Sequence, residues 1–446
     1  MKGKSFKRGT HIFDAKELSK DCAIEKMDAC DLMVYPLSQH IGNPAKPVVA
    51  VGDRVLKGQM IAEADGFISA PIHSAVSGTV KAIEKRLVQN GEKSDCIVIE
   101  NDGLEEAVDG FDTIRNADDF DKEQLIEIVK NAGIAGLGGA GFPPYVKLSP
   151  KNVENIDTVI INGAECEPYL TLDYRIMMEK SDELISGIKA VLKILPNAKA
   201  IIAIEVNKPD AIKLLEEKTA FEEKISVQPL KTKYPQGGER QLIYAITKRK
   251  INSKMLPADK GCIVVNTSSC YAIYEAVYKN IPLIHRVMTV TGEAVNKPCN
   301  LDVPVGVSYK DVLDAAGGAT ENAVKFLSGG PMMGFALSTL DVPVVKTSSS
   351  IIAFSQDDVA TLQQSACIHC GRCVSVCPQH LVPQMLVKAM KAQDIEKFDD
   401  LGGAECMECG CCTFVCPAKI PITQMLKLGR AQIIAERKKK QEENNK

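Results

Sequence analysis

The spacing of apolar residues changes several times along this chain. From Val48 to Ile99, short apolar runs alternate with glycine turns, as in Val51-Gly52-Asp53-Arg54-Val55, Met60-Ile61-Ala62 and Val76-Ser77-Gly78-Thr79-Val80. Strand and turn at this short spacing predict a small all-β sandwich or barrel. From Asp121 to Asn131 the period becomes helical, with Leu125, Ile126, Ile128 and Val129 on one side and Asp121 placed as the N-cap. Apolar runs at Thr158 to Ile161, Ala200 to Val206 and Ile263 to Asn266 then alternate with helical stretches from Pro209 to Glu217, Glu239 to Thr247 and Cys270 to Lys279. Strands separated by helices are the signature of an α/β sheet. Strand character returns from Arg286 to Thr291, and a helix from Tyr309 to Ala316 stops at Gly317-Gly318. Beyond Ser348-Ser349-Ser350, helices are predicted from Val382 to Lys391 and from Ile422 to Arg437.

These shifts predict a multidomain α/β protein. Residues 1–115 form a barrel-sandwich β domain, 116–284 an α/β domain and 285–359 a small mixed module with its connection. Residues 360–436 form a helical domain, and 437–446 a charged tail whose basic run reads as solvated rather than lipid-bound. At 446 residues and 45% hydrophobic content the chain can bury more than one core. No apolar run approaches the roughly 20 residues that span a bilayer. Met1 to Phe6 leads into polar sequence, so no signal peptide is expected. A net charge of −3 gives no reason to invoke nucleic acid.

Cysteine changes the picture. Nine of the 16 Cys fall between Cys367 and Cys416. Eight of them repeat one motif: Cys367-x-x-Cys370-x-x-Cys373-x-x-x-Cys377-Pro378, then Cys406-x-x-Cys409-x-x-Cys412-x-x-x-Cys416-Pro417. This is the bacterial-ferredoxin spacing for two [4Fe–4S] clusters, in which the fourth Cys of each motif serves the other cluster. Cys367, Cys370, Cys373 and Cys416 are therefore expected on one cluster, and Cys406, Cys409, Cys412 and Cys377 on the other. Paired Cys-x-x-Cys also suits zinc, but zinc has no use for the third Cys or the trailing Cys-Pro. Cys411 reads as packing or cluster shielding, and His369 as a solvent-facing filler or a cluster-tuning donor. Such crowding at metal spacing points to a reducing compartment rather than to disulfides.

The second chemical feature is Gly136-Leu137-Gly138-Gly139-Ala140-Gly141-Phe142-Pro143, with Lys147 six residues past Gly141. Glycines let main-chain N–H groups approach a phosphate, although a plain turn uses them too. Three further polar loops start at Asn162-Gly163-Ala164-Glu165-Cys166-Glu167-Pro168, Tyr234-Pro235-Gln236-Gly237-Gly238-Glu239 and Asn266-Thr267-Ser268. The first and last of these follow predicted strands, where open α/β sheets bind ligands, so together the loops predict a nucleotide pocket.

The glycine run with Lys147 resembles the flavin-binding loop of the NADH-oxidising subunit of respiratory complex I and its hydrogenase relatives. Asn162 to Pro168 resembles that family's N-A-D-E-x-E-P loop, Tyr234 to Glu239 its Y-x-x-G-E-E segment, and Asn266 falls at its V-N-N loop. The resemblance implies that Gly138, Gly139, Gly141, Lys147, Asn162 and Asn266 hold FMN. It also implies that Phe142, Glu165, Glu167 and Glu239 face the nicotinamide nucleotide, with Phe142 stacking on one of its rings. Leu137 stands where that family has Arg, Ala164 replaces the first acid of N-A-D-E, and the complex I protein has one cluster rather than a pair.

Over essentially the full chain, the order of motifs is more similar to the C subunit of the Rnf complex. That order includes a hammerhead-like β domain of the biotinyl/lipoyl-carrier type and Gly329-Gly330-Pro331-Met332-Met333-Gly334. The turn Ile72-His73-Ser74-Ala75-Val76 lacks the modifiable Lys of carrier domains, which favours a structural or docking role. The resemblance implies a Rossmann-like FMN/NADH domain, a β-grasp module of the soluble-ligand-binding type and a two-cluster ferredoxin-like domain. It further implies two [4Fe–4S] clusters and FMN as cofactors, NAD(H) as substrate, and a subunit of an ion-translocating ferredoxin:NAD oxidoreductase. The implied partners are other subunits of the membrane complex, including an iron–sulfur subunit, with ferredoxin reached indirectly. The implied location is peripheral, at the cytoplasmic face of the cell membrane. Hydride brings two electrons and a cubane takes one, so a flavin is the converter such a set requires. Two other readings stay open on the residues: an NADH-oxidising subunit of a soluble bifurcating or hydrogenase-type complex, and a non-catalytic iron–sulfur scaffold.

Overall fold

The computed structural model describes residues 3–444; Met1 and Lys2, and Asn445 and Lys446 of the predicted charged tail, lie outside the described residues. The glycine-punctuated region forms a four-stranded antiparallel sheet in the order Leu32–Pro36, Lys93–Asn101, Gly78–Leu87, Arg54–Val55. A second sheet joins Lys46–Pro47, Met60–Glu63 and Ile72–His73. Tyr35, Val55, Ile61, Ile72, Ile97 and Ile99 from both sheets share one core. Cys96 and Val98 pack into a separate small cluster, as period-two alternation requires.

The α/β region is a four-stranded parallel sheet in the order Ile225–Leu230, Lys199–Glu205, Thr158–Gly163, Cys262–Asn266. Val159, Ile161, Ile202, Ile204, Ile263 and Val265 face one helical layer, while Ile160, Ala203 and Val264 face Leu242, Ile243 and Ile246 of the helix Glu239–Thr247. Burial on both faces explains the unbroken apolar runs of these strands. The helix Lys122–Asn131 starts at Asp121, whose side chain accepts from Gln124 N–H in a capping box.

Among the elements not anticipated in the α/β region are the strand Ile225–Leu230 and the helices Leu172–Glu179 and Ser181–Ile194. The strand carries Pro229, which an edge position tolerates. The second helix has Gly187 where a Cβ would come within 2.0 Å of Cys270 O, so its close packing on the helix Thr267–Tyr278 needs glycine.

The third sheet is mixed and six-stranded, in the order Ile24–Lys26, Cys299–Pro304, His285–Thr291, Ser350–Phe354, Lys325–Ser328, Phe335–Ala336. Its first strand comes from the N-terminal segment, which threads past the α/β sheet before joining it. Lys4 N–H donates to Pro229 O, Thr10 pairs with Tyr234, and Gly9 N–H donates to Val376 O. The helical region follows with Arg372–Val376, Pro383–Lys391, Ile395–Asp400, Cys411–Phe414 and Ile422–Asn444. The helix predicted to end at Arg437 instead continues to Asn444, in keeping with the strong helix formers of that segment. Arg437 is held by Asp399 at 2.7 Å.

His285 joins the α/β and mixed sheets, lying 3.1 Å from Glu275 on the helix Thr267–Tyr278 and 2.5 Å from Asp302. Burial opposes its charge, but the two carboxylates outweigh it and hold the imidazole pKa well above its ordinary value. The stabilisation is therefore fully present below the unfolded-state pKa near 6.5 and is lost as pH rises through the raised folded value. His285→Gln should destabilise the chain by about 3 kcal/mol at about pH 6, with the gap to wild type narrowing toward about pH 9. Urea midpoints at the two pH values check this, and a pH-independent gap contradicts it.

Candidate functional site

The loops singled out from sequence meet at one edge of the parallel sheet. Asn162 and Asn266 are register partners on adjacent strands, at their carboxyl ends. The strand Thr158–Gly163 continues to Lys199–Glu205 on one side, while Cys262–Asn266 lies on the other. The strand order therefore reverses between the two Asn residues, where a ligand crevice forms in sheets of this kind. Asn162 Nδ2 donates to Gly237 O at 2.9 Å, bringing in the third loop. Asn266 caps the helix Thr267–Tyr278 by accepting from Ser268 N–H, and its Nδ2 donates to Asp173 at 2.8 Å.

The glycine loop closes over this edge. A Cβ on Gly138 would sit 2.7 Å from Asn266 Nδ2, whereas one on Gly139 would meet open space. Gly141 has φ +75° and packs against His40 and Thr347, so both its conformation and its contacts need glycine. Phe142 is half-buried, with its carbonyl packed on Gly136. Lys147 Nζ reaches Glu239 Oε1 at 2.9 Å and Val264 O at 3.1 Å, at the side of the same edge.

The acids expected to face a nucleotide differ in placement. Glu239 is half-exposed beside Lys147. Glu165 is buried, with φ +45°, and accepts from Asp173 N–H at 2.7 Å. Glu167 accepts from Tyr234 OH at 3.2 Å and Met332 N–H at 3.1 Å, linking the second loop to the Gly329–Gly334 turn. Burial raises both carboxyls to about 7, against the pull of Lys16. Of the three, only Glu165 is fully buried, whereas Glu167 and Glu239 keep part of their surface exposed.

Two lysines that sequence reasoning missed hold this loop. Lys16 donates to Glu167 O and Leu170 O, and Lys208 donates to Ala164 O at 2.9 Å. Both are buried with their carboxylate neighbours, Glu165 and Glu205 at 3.9 Å. Nothing local marks a Lys as a buried clamp. The nearest signal is Lys16 amid the polar N-terminal segment that crosses the sheet.

The cysteine motifs repeat in backbone as well as in sequence. His369 and Glu408 occupy the same motif position with φ +56° and +59°, Gly371 and Gly410 follow at +75° and +81°, and His380 and Lys419 at +60° and +53°. Cys377, Cys406, Cys409 and Cys412 line a single cavity with Met407, Cys411 and Leu426. That set unites three Cys of the second motif with the fourth of the first. Cys416 is buried and lies near Cys373, while Cys367 and Cys370 are exposed. Among the described residues, no three His, Cys, Asp or Glu converge tightly enough to grip a single ion. Four thiols lining one cavity are the donor set that a [4Fe–4S] cluster takes.

Cavity and crevice are neighbours. A Cβ on Gly238 would be 2.6 Å from Met407 Cε, and Gly237 N–H donates to Cys166 Sγ at 3.3 Å. Tyr234, Cys409 and Cys411 form a shared apolar cluster with Ile12, Cys166, Met332, Val376 and Met407. Arg240 pairs with Glu405 at 2.7 Å, and Glu405 also accepts from Ser253, which fixes the start of the second motif against the α/β domain.

Four family models match the chain in order. They are the RnfC barrel sandwich hybrid domain over 4–104, the Nuo51 FMN-binding domain over 129–275, the SLBB domain over 287–336 and the 4Fe-4S dicluster domain over 366–420. The C subunit of the proton-translocating ferredoxin:NAD(+) oxidoreductase complex of Clostridium ljungdahlii is 47% identical over 86% of this chain and 84% of its own length. Its Na(+)-translocating counterpart from Acetobacterium woodii is 38% identical over 98% and 99%. An NAD+-reducing [NiFe]-hydrogenase in its air-oxidised state shares the fold, with TM-score 0.50 and 20% identity over 63% of this chain and 55% of its own.

If the cavity Cys hold one cubane of two, Cys409→Ala should remove about four of about eight iron atoms per chain. Iron analysis of anaerobically prepared protein checks this, and an unchanged count contradicts it.

Proposed function

The chain belongs to the family of C subunits of ion-translocating ferredoxin:NAD(+) oxidoreductase complexes, and from that premise we propose how its own residues serve electron exchange with NAD(H). It is an electron-transfer subunit whose cofactors are FMN and two [4Fe–4S] clusters, with NAD(H) as substrate. The crevice suits a flavin nucleotide: the glycine loop has an open position at Gly139, and the helix Thr267–Tyr278 points its N-terminus at the same edge. Gly138, Gly139, Gly141, Lys147, Asn162 and Asn266 would hold FMN. Cys406, Cys409, Cys412 and Cys377 would hold the nearer cluster, and Cys367, Cys370, Cys373 and Cys416 the more exposed one.

When bound, FMN exchanges hydride with NAD(H) and the clusters take single electrons, chemistry that belongs to the cofactors. The residues supply position and environment. Asn162 and Asn266 align the two strand ends, Lys147 supplies a cation tempered by Glu239, and Phe142 supplies an aromatic face. Glu165 and Glu167 act from beneath the loop, keeping it rigid through Asp173 and Met332. The apolar cluster around Tyr234 and Met407 excludes water between crevice and cavity.

The contact of Gly238 with Met407 carries the reading, because it brings the nucleotide edge against the Cys-lined cavity. Among the described residues no helix is long and apolar enough to cross a membrane. Attachment would then come from docking onto other subunits of the complex, including an iron–sulfur subunit, at the cytoplasmic face of the membrane.

Reconstitution of the chain with iron and FMN should yield NADH oxidation with an artificial acceptor, and failure to bind flavin ends this reading. Lys147→Ala should weaken FMN binding by about tenfold while iron content stays unchanged. Titration of flavin fluorescence with parallel iron analysis checks this, and joint loss of flavin and iron would make Lys147 a structural residue.

A further inference from the structure

The glycine loop from Gly136 to Pro143 carries no charge of its own, yet a cation lies directly behind it. Arg286, on the strand His285–Thr291 of the neighbouring sheet, is 2% exposed. Its partners are carbonyls: Nε and Nη2 donate to Ser348 O at 3.1 and 3.0 Å, and Nη2 makes a long contact with Leu137 O at 3.4 Å. Among the described residues it has no carboxylate within ion-pair distance, and burial lowers its pKa to about 10, which leaves it cationic at neutral pH. Asp173, which is held by Asn266 and Ser268, and Asp302 favour its charge only from beyond ion-pair distance, so the buried guanidinium remains costly, and a site that receives an anion is one place where the cost is recovered.

Leu137 is drawn inward from three directions. Its side chain is buried, its N–H donates to Ser269 Oγ at 3.0 Å, and its carbonyl faces Arg286. The peptide joining Leu137 to Gly138 is trans. A trans peptide points its C=O and N–H in opposite directions. With the carbonyl turned inward, the Gly138 N–H faces the exposed side of the loop, beside Asn266 and the N-terminus of its helix.

We propose that Arg286 is a positioning residue that turns the Gly138 N–H outward and adds positive potential behind it, so that the loop receives the phosphate of a flavin mononucleotide. The proposal rests on the flavin reading of this loop and goes beyond it by assigning the anion's end of the site to a residue of another sheet.

Titration of the flavin-depleted, iron-reconstituted full chain with FMN and, separately, with riboflavin tests it. Absence of FMN binding by wild type overturns the flavin reading and this proposal with it. Given wild-type binding, Arg286→Met should weaken FMN by about tenfold and leave riboflavin, which lacks the phosphate, within about twofold. Arg286→Lys keeps the charge and should stay within about threefold of wild type for FMN. Unchanged FMN affinity in Arg286→Met, or equal loss for both flavins, overturns the proposal. Should Arg286→Met lose its iron or its fold, Ser269→Ala, which frees the Leu137 N–H, takes its place. It should weaken FMN about threefold and spare riboflavin, and no selective loss there overturns the proposal equally.

Discussion

Two strands of one parallel sheet end in register at Asn162 and Asn266, at the point where the order of strands reverses. The rest of the candidate site is referred to that edge. Loops leaving adjacent strands in opposite directions open a crevice without any side chain being removed. The glycine loop, the Gly237-Gly238 turn and the capped N-terminus of the helix Thr267–Tyr278 are brought to the crevice by the same topology.

Placing a second module beside that edge is a separate problem, which the chain solves with contacts distant in sequence. The N-terminal arm pairs with the edge of the α/β sheet and hydrogen-bonds to Val374 and Val376 within the first cysteine motif. Arg240 and Ser253 hold Glu405, one residue before the second motif. Glu167 reaches the Gly329–Gly334 turn, whose Met332 packs at the Tyr234 cluster. Each tie is modest alone. Together they fix the Cys-lined cavity against the crevice from three parts of the chain.

Much of this was legible in the residues because it is local. The cysteine spacing specifies its own loops, and the repeated left-handed positions at His369 and Glu408 follow from it. The glycine run and the two strand-end Asn residues were equally readable, since strand period and loop chemistry sit side by side. Lys16, Lys208 and Arg286 were not readable, because a buried cation on a carbonyl has the same local sequence as a solvated one. The strand Ile225–Leu230 was missed because an edge strand with a proline lacks the apolar run of its neighbours. The last helix outran its expected end because nothing in Glu436-Arg437-Lys438 terminates it.

The central claim is that one polypeptide carries a flavin crevice and two cubane sites as a single unit. Flavin and iron measured together in the chain prepared without oxygen test it most directly. One FMN and about eight iron atoms per chain are predicted. Four iron atoms or fewer, zinc in their place, or iron without flavin would contradict it.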